Sequence, residues 1–314
     1  MKVLVTGAAG FIANHLINQL LDQKHTVVGI DNFISGSRDN IEQLSSRENF
    51  HFVEGDVLEL FSALESIGQI DGYDEIYHIA CPASPPIYQR DQLNTLDVCF
   101  TGSRNALSLG EKNNAKVFLA STSECYGDPE VHPQPETYRG NVNTFGPRAC
   151  YDEGKRAMEA LAYCFGLRGT DVRIARIFNT YGPKMNPNDG RVVTNFIVQA
   201  LKNEPITIYG DGTQTRSLCF ATDLVDGIRR LMASEIKEPI NLGSNFEFSV
   251  LEIAETVKSI CGSSSKFSHK ELPPDDPKLR KPDITRALKK LNWVPHTTLE
   301  DGLRLLIEDI KNKI

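Results

Sequence analysis

The sequence lacks the features that mark several protein classes. Its seven cysteines contain no Cys-x-x-Cys pair, and an odd number of thiols does not close into a disulfide framework. It contains no run of 18 apolar residues, so no membrane-spanning helix is predicted. Acidic residues outnumber basic ones by 41 to 34, which argues against a nucleic-acid partner. These absences favour a globular protein of a reducing compartment.

Targeting and metal-binding patterns are missing as well. The chain opens on a strand-like stretch rather than a charged segment followed by an apolar one, so we expect no signal peptide and a cytoplasmic location. The seven histidines show no metal-ligand spacing, and no metal site is predicted. With 314 residues and 40% apolar content, the chain can bury a large core in one large domain or two smaller ones.

The first half of the chain alternates short β-branched runs with longer segments of helical periodicity. The predicted strands are 3–6, 26–31, 50–54, 75–79, 116–120 and 171–176. The predicted helices are 11–23, 93–113 and 151–167. This alternation predicts an α/β fold, a Rossmann-type doubly wound parallel sheet covered by helices on both faces.

Beyond residue 179 the pattern is less regular. It predicts a loop at 182–190, helices at 192–202 and 223–233, and a last sheet strand at 239–242. We therefore predict a Rossmann domain built from 1–180 and 212–243, together with a smaller, discontinuous domain built from 181–211 and 244–314.

A glycine-rich turn follows the first predicted strand. Gly7 and Gly10 form a Gly-x-x-Gly-x-x-Ala pattern with Ala13, which allows a pyrophosphate to approach a helix N-terminus. Asp31 ends the second strand, where a carboxylate binds both ribose hydroxyls and repels a 2′-phosphate, so NAD is favoured over NADP. Asp56 ends the third strand and either meets the adenine amino group or is a solvated strand-end residue. The alternative for the turn itself is a ligand-free bend.

Candidate catalytic groups lie on one helix and at the end of one strand. Tyr151 and Lys155 are one helical turn apart, and a nearby cation favours the phenolate that deprotonates a hydroxyl. Thr122 follows the fifth predicted strand at the carboxyl edge of the sheet and can hydrogen-bond the reacting hydroxyl, with Glu124 two residues later. The alternative is an accidental surface pair and a strand-end hydroxyl bonded to its own backbone.

Together these motifs resemble the extended short-chain dehydrogenase/reductase family, which pairs the glycine loop with Tyr-x-x-x-Lys and a Ser or Thr. Within that family the chain is most similar to UDP-glucuronate decarboxylases, and the resemblance covers nearly the whole sequence. The runs that carry it are ACPASPP (80–86), TSECYGDP (122–129), CYDEGKR (150–156), ARIFNTYGP (175–183), DGRVV (189–193), PDDP (274–277) and RKPDI (280–284).

The resemblance implies an NAD-dependent conversion of UDP-glucuronate to UDP-xylose through C4 oxidation, loss of carbon dioxide and re-reduction. In this scheme Tyr151 is the base and later the acid, and Lys155 lowers its pKa and holds the nicotinamide ribose. Thr122 orients the C4 oxygen, while Ser123 and Glu124 face C5 and C6. The smaller domain then binds the nucleotide sugar.

Further contacts are implied by the same resemblance. Besides the glycines and acids already named, the cofactor contacts are Phe11, Ile12, Asn32, Phe33, Ser35, Gly36, Val57, Ile79 and Ala80. The substrate contacts, with the last two as clamps on the pyrophosphate, are Tyr88, Asn179, Arg191, Arg216 and Arg280. Family members dimerise through the helices that correspond to 93–113 and 151–167, so we expect a homodimer.

Two positions bear on the choice of reaction. Ser123 stands where related 4,6-dehydratases carry an aspartic acid, and a hydroxyl is a poor proton donor to a leaving hydroxide, so dehydration is disfavoured. Asp97 and Val98 stand where decarboxylases usually carry Lys-Thr, and a carboxylate at this position could repel a uronate. The alternatives are therefore a 4-epimerase or 4-dehydrogenase acting on another nucleotide sugar, and a non-catalytic NAD- or sugar-nucleotide-binding regulator.

Overall fold

The structure is a computed structural model that describes residues 1–271 and 279–314, so the PDDP run at 274–277 lies outside the described residues. Its strands are β1 (Lys2–Thr6), β2 (Thr26–Asp31), β3 (Phe50–Glu54), β4 (Glu75–His78), β5 (Lys116–Thr122), β6 (Val172–Ile177), β7 (Thr180–Tyr181), β8 (Ile206–Tyr209), β9 (Thr215–Arg216), β10 (Cys219–Phe220), β11 (Ile240–Leu242), β12 (Phe248–Ser249) and β13 (Phe267–Lys270).

The helices are α1 (Phe11–Asp22), α2 (Arg38–Ser45), α3 (Leu60–Ser66), α4 (Pro85–Tyr88), α5 (Gln92–Asp97), α6 (Ser103–Asn113), α7 (Ala149–Leu167), α8 (Val192–Leu201), α9 (Ala221–Ala233), α10 (Val250–Cys261), α11 (Thr285–Leu291) and α12 (Leu299–Lys311). A π-helical turn, Val98–Gly102, joins α5 to α6, so the predicted helix 93–113 is one continuous helical segment with a widened turn inside it.

A parallel sheet forms the centre of the fold, as predicted. In the described part of the chain it has seven strands in the order β11-β6-β5-β4-β1-β2-β3. Strand order reverses direction between β1 and β4, which is where open α/β sheets bind their ligands, at the carboxyl ends of the strands. The β1–β2 register pairs Thr6 with Ile30, so the glycine turn and Asp31 meet at this edge.

Apolar residues alternate between the two faces of the sheet. Val3 and Val5 pack with α1, α2, α9 and α11 on one face, and Leu4 packs with α3, α6 and α7 on the other. This alternation follows from the two-residue repeat of a strand and places helices on both sides, as the sequence predicts. The helix α7, which carries Tyr151 and Lys155, is thereby fixed against β5 and β6.

The segments after β6 build a further hydrophobic core. It joins α8, α10 and α12 to a small parallel pair, β8 and β13, and to Tyr181 and Phe220. The chain returns to the main sheet with α9 and β11, which is the predicted last sheet strand and pairs with β6. The division into a Rossmann domain and a discontinuous second domain stays a prediction, and the separate packing of this core supports it.

Candidate active site

A cavity of about 960 Å³ lies along the carboxyl edge of the sheet. Its walls include the glycine turn at one end, the ends of β5 and β6 in the middle, and residues of α8 and β8 at the other end. A cavity of this size matches those that hold a small-molecule ligand in proteins. The cavity therefore joins the predicted cofactor and substrate residues into one site.

The glycine turn packs too closely against the end of β4 to carry a side chain at Gly7. Gly7 has a φ of +74°, and a Cβ at this position would lie 2.8 Å from the backbone nitrogen of Ala80. Gly10 is the N-cap of α1, so free backbone N–H groups of that helix face the cavity. Ala13, in place of a third glycine, is fully buried in α1, where a methyl group is accommodated. This turn fits the pyrophosphate of a dinucleotide.

Asp31 is oriented by the backbone around it. Its carboxylate accepts hydrogen bonds from the backbone nitrogens of Ala9 at 3.0 Å and Phe33 at 2.7 Å. Burial raises the pKa of Asp31, and these N–H groups partly offset that effect. A carboxylate has about four acceptor positions, so two remain for ribose hydroxyls.

Most of the predicted cofactor residues line the cavity. In the part of the chain that the structure describes, the exceptions are Phe33, Gly36 and Asp56. The Phe33 ring packs against Phe52 with 5.5 Å between ring centroids, and only its backbone reaches Asp31. Gly36 packs against Ala9 of the glycine turn. Asp56 accepts hydrogen bonds from Asn32 at 2.7 Å and from the backbone of Leu58 at 2.9 Å, so it caps a turn rather than facing the cavity. Since none of these three residues lines the cavity, their contact with the cofactor stays a prediction that this geometry does not support.

Tyr151, Lys155 and Thr122 line the cavity together. The Lys155 ammonium lies 5.9 Å from the centroid of the Tyr151 ring and donates a 2.8 Å hydrogen bond to the carbonyl of Ala120. Thr122 ends β5 and accepts a hydrogen bond from the backbone of Glu124 at 3.2 Å. The i, i+4 spacing on α7 and the end of β5 therefore bring the three groups to one wall.

The electrostatics at Tyr151 differ from the expected arrangement. Burial raises the pKa of the Tyr151 phenol well above its ordinary value, the Cys81 and Cys99 thiols add to this effect, and a hydrogen bond from Thr122 opposes it. Burial thus outweighs the predicted lowering of this pKa by Lys155, whose ammonium donates a hydrogen bond to the carbonyl of Ala120. The phenol of the protein alone is thus held in its protonated form.

Glu124 is the centre of a buried ion-pair cluster. Its carboxylate accepts from Arg148 at 2.7 Å and from Arg280 at 2.8 and 2.9 Å. Burial raises the pKa of Glu124, but Arg280 and Arg148 outweigh it and leave the pKa below its ordinary value. Asp152 lies 3.8 Å from the Arg148 side chain, and burial raises the pKa of Asp152 to about 7. The cluster holds one ionised carboxylate between two guanidinium groups.

The predicted substrate residues fall into two groups. Asn179, Arg191 and Arg216 line the cavity with Ser123, whereas Tyr88 does not line it among the described residues. Tyr88 is buried behind Tyr151, because the short helix α4 directs its ring inward against α7.

Arg280 lines the cavity as well, but its partners differ from the expected pyrophosphate clamp. Its guanidinium is directed to Glu124 and, at 3.3 Å, to Asn179. Arg280 is therefore held beside Glu124 in the structure, and the roles of Arg280 and Arg216 as clamps on the pyrophosphate stay predictions.

The position of Asp97 weakens the argument for another sugar. Asp97 is exposed on α5 and does not line the cavity among the described residues, whereas its neighbour Val98 does. Consecutive residues of a helix point about 100° apart, and here Val98 faces the site while Asp97 is turned toward solvent. Direct repulsion between Asp97 and a bound uronate is not supported by this geometry.

Sequence reasoning missed Arg148 and Cys81, which both line the cavity. Arg148 stands three residues before Tyr151, and this helical spacing was the signal that could have identified it. Within residues 1–271 and 279–314, no three His, Cys, Asp or Glu side chains group as a metal site would. No helix in the same ranges is long and apolar enough to cross a membrane.

Comparison with known proteins places this site in context. The NAD dependent epimerase/dehydratase family matches residues 3–243. UDP-glucuronic acid decarboxylase 5 of Arabidopsis thaliana is 46% identical over 100% of this chain and 90% of its own length. UDP-glucuronic acid decarboxylase 1 of Xenopus tropicalis is 45% identical over 100% of this chain and 73% of its own length.

Solved structures show the same overall fold. UDP-glucose 4-epimerase of Thermotoga maritima, solved with UDP-glucose, has a TM-score of 0.90 at 27% identity and covers 100% of this chain and 99% of its own. UDP-glucuronic acid 4-epimerase of Bacillus cereus, solved with UDP-glucuronic acid and NAD, has a TM-score of 0.88 at 29% identity, with 100% of each chain covered. The curated decarboxylases are thus considerably more similar in sequence than these epimerases.

Proposed function

The chain belongs to the NAD dependent epimerase/dehydratase family, and on this premise we propose that it is an enzyme that decarboxylates UDP-glucuronate to UDP-xylose. Its cofactor is NAD. The observation that carries the proposal is that Thr122, Ser123 and Glu124 line one cavity with Tyr151 and Lys155, in a chain 46% identical along its length to a UDP-glucuronic acid decarboxylase.

The chemistry divides between the cofactor and the protein. When bound, NAD supplies a hydride acceptor for C4 of the sugar and, once carbon dioxide has left, a hydride donor to the same carbon. Tyr151 removes the proton of the C4 hydroxyl and later returns a proton to the C4 oxygen. Thr122 orients that oxygen, and Lys155 holds the ribose of the cofactor. The glycine turn and Asp31 bind its pyrophosphate and its adenosine ribose.

Oxidation at C4 makes decarboxylation feasible. The C6 carboxylate is then β to a ketone, so the electrons of the C5–C6 bond pass to the C4 oxygen as carbon dioxide leaves and an enolate forms. A proton then adds to C5 and restores the C4 ketone before it is reduced. Ser123 and Glu124 face C5 and C6, and elimination of water is disfavoured because Ser123 is a poor acid toward a leaving hydroxide. Arg148 and Arg280 carry two positive charges against one negative charge on Glu124, and burial raises the pKa of the neighbouring Asp152 to about 7, so Asp152 is only partly ionised at neutral pH. The cluster therefore keeps a positive net charge, which attracts a uronate.

The experiment is an incubation of the purified protein with UDP-glucuronate, followed by mass spectrometry of the nucleotide sugar. We expect a UDP-pentose and released carbon dioxide. A product of unchanged mass indicates a 4-epimerase, and a UDP-4-keto sugar that retains its carboxyl carbon indicates a 4-dehydrogenase. Recovery of unreacted UDP-glucuronate together with bound NAD would favour the regulator and overturn the proposal.

We also propose a homodimer. Leu93 of α5 and Tyr163 and Leu167 of α7 are 78%, 69% and 73% exposed, although apolar side chains of this size are usually buried. A second copy that packs the same two helices against them would cover these side chains. Light scattering of the wild type should give twice the mass of one chain, and Leu167→Asp should give the mass of one. A wild-type monomer would contradict this assembly.

A cytoplasmic location is proposed on the chemistry of the cysteines. All seven are free thiols in the structure, which suits a reducing compartment. Fractionation of cells that express the protein, with recovery in the membrane or secreted fraction, would contradict this location.

A further inference from the structure

Two thiols lie together in the wall of the cavity. The Sγ atoms of Cys81 and Cys99 are 3.3 Å apart. Cys81 follows β4 and lines the cavity, while Cys99, in the π-helical turn, is 1% exposed behind it. A disulfide bond is about 2.05 Å long, so the two sulfur atoms need to approach by only about 1.3 Å to form one. Neither thiol transfers a proton, a hydride or a bond in the proposed decarboxylation.

The two thiols have opposite chemical character. The hydrogen bond from Cys99 lowers the pKa of Cys81 to about 7, with help from Lys155 and against the effect of burial. The pKa of Cys99 is raised by its bond to Cys81 and by burial. At neutral pH a large fraction of Cys81 is thiolate, the nucleophilic form, whereas Cys99 stays a thiol beside it. This is the arrangement of an attacking and a resolving cysteine.

We propose that Cys81 and Cys99 form a peroxide-sensitive modification site, in which a disulfide between them inactivates the enzyme reversibly. In the first step the Cys81 thiolate attacks one oxygen of a peroxide, the O–O bond breaks, and a sulfenic acid and one hydroxide result. In the second step Cys99 attacks the Cys81 sulfur, the S–O bond breaks, and the leaving hydroxide takes a proton to form water. The peroxide is the oxidant and accepts the two electrons that the thiols lose.

Packing explains why this bond would lower activity. A Cβ placed on Gly154 would lie only 2.8 Å from the Cβ of Cys99, so Cys99 packs directly against the backbone of α7. Gly154 lies between Tyr151 and Lys155 on that helix. The approach of the two sulfur atoms therefore displaces either α7 or the wall formed by residues 80–82. A displacement of about 1 Å at catalytic groups can lower a rate about a hundredfold.

The experiment treats the purified enzyme with increasing hydrogen peroxide and reads two quantities. Non-reducing digestion and mass spectrometry should show the peptides of Cys81 and Cys99 joined. Decarboxylation should fall by at least about tenfold in parallel, and dithiothreitol should restore it. The linkage is read without any activity assay, so it tests the thiol pair even if the proposed function fails.

Two variants sharpen the test. Cys99→Ala cannot form the bond, so its Cys81 sulfenic acid should be trapped by a cyclic 1,3-diketone, and further oxidation should make its loss of activity irreversible. Cys164→Ser removes an exposed thiol and should respond like the wild type. Linkage of Cys81 to Cys150, which packs in the same cluster, would overturn the assignment. So would a disulfide that leaves activity unchanged, or peroxide treatment that leaves both thiols open to alkylation.

Discussion

The ring of Tyr88 is stacked on the ring of Tyr151, with 5.1 Å between the centroids and 6° between the planes. Tyr88 is 1% exposed, and among the described residues its hydroxyl has no hydrogen-bond partner. Its contribution is therefore the flat face of the ring, which restricts the orientation of the proposed base. Offset stacking of this kind contributes about 0.5–1.5 kcal/mol beyond the area it buries.

Two variants of Tyr88 should distinguish the effect of its ring on turnover from the effect of its hydroxyl. Tyr88→Phe keeps the stacking and removes a buried unpartnered hydroxyl, so kcat should stay within about twofold and the melting temperature should not fall. Tyr88→Leu loses the flat face, and kcat should fall about tenfold or more with a smaller change in KM. Steady-state kinetics on both variants checks this. Equal losses in the two variants would mean that the hydroxyl matters after all.

Removal of the Tyr151 hydroxyl should abolish most of the turnover. A positioned general base contributes about 10²–10⁴-fold, so Tyr151→Phe should lower kcat by about that factor while the protein still retains NAD. Tyr163→Phe on the same helix is the matched control, since its side chain lies outside the cavity and phenylalanine keeps the ring that a second copy would cover. NAD retained through purification is measured by absorbance. A Tyr151→Phe variant with near wild-type turnover would remove Tyr151 from the mechanism.

The sequence predicts the strand-end residues of the site well. Asp31 and Thr122 end runs of one parallel sheet, and the carboxyl ends of such strands meet at one edge whatever the details of packing. Tyr151 and Lys155 are related by a local helical repeat, which is equally independent of the rest of the fold. The amino-acid pattern alone is therefore sufficient to group these residues.

Contacts between distant segments could not be predicted in the same way. The pairing of Cys81 with Cys99 depends on how the π-helical turn packs against α7, and no local pattern encodes that contact. The inward rotation of Tyr88 and the outward position of Asp97 depend on the same packing. Arg280 follows residues outside the described ranges, and only the folded chain shows its side chain directed to Glu124.

Loss of the Glu124 charge should destabilise the protein. Glu124→Gln leaves Arg148 and Arg280 buried without their carboxylate, and breaking a buried pair in this way costs about 3–5 kcal/mol. Urea unfolding should show this fall in the free energy of unfolding at neutral pH. Glu54→Gln is the control, because the side chains of the Arg38–Glu54 pair are 62% and 55% exposed. Loss of this pair should cause no measurable change in the free energy of unfolding. Similar curves for the two variants would contradict the structural role of the cluster.

Acid should destabilise the fold through His78. Its ring is 2% exposed, with Nδ1 2.9 Å from the Thr6 hydroxyl and Nε2 3.1 Å from that of Ser103. Burial, with a smaller effect of Lys155, lowers the pKa of His78 to about 3.

An unfolded histidine has a pKa of about 6.5, so the unfolded state binds more protons between that pH and about 3. The contribution of His78 is therefore fully present above pH 6.5 and declines as the pH falls, by up to about 1.4 kcal/mol per unit. The free energy of unfolding, measured in urea from about pH 6.5 to 4.5, should fall less steeply with acid in His78→Gln than in the wild type. His51→Gln, at an exposed position, should keep the wild-type slope. If His78→Gln keeps that slope too, His78 takes up protons in the folded protein over the same pH range as in the unfolded chain.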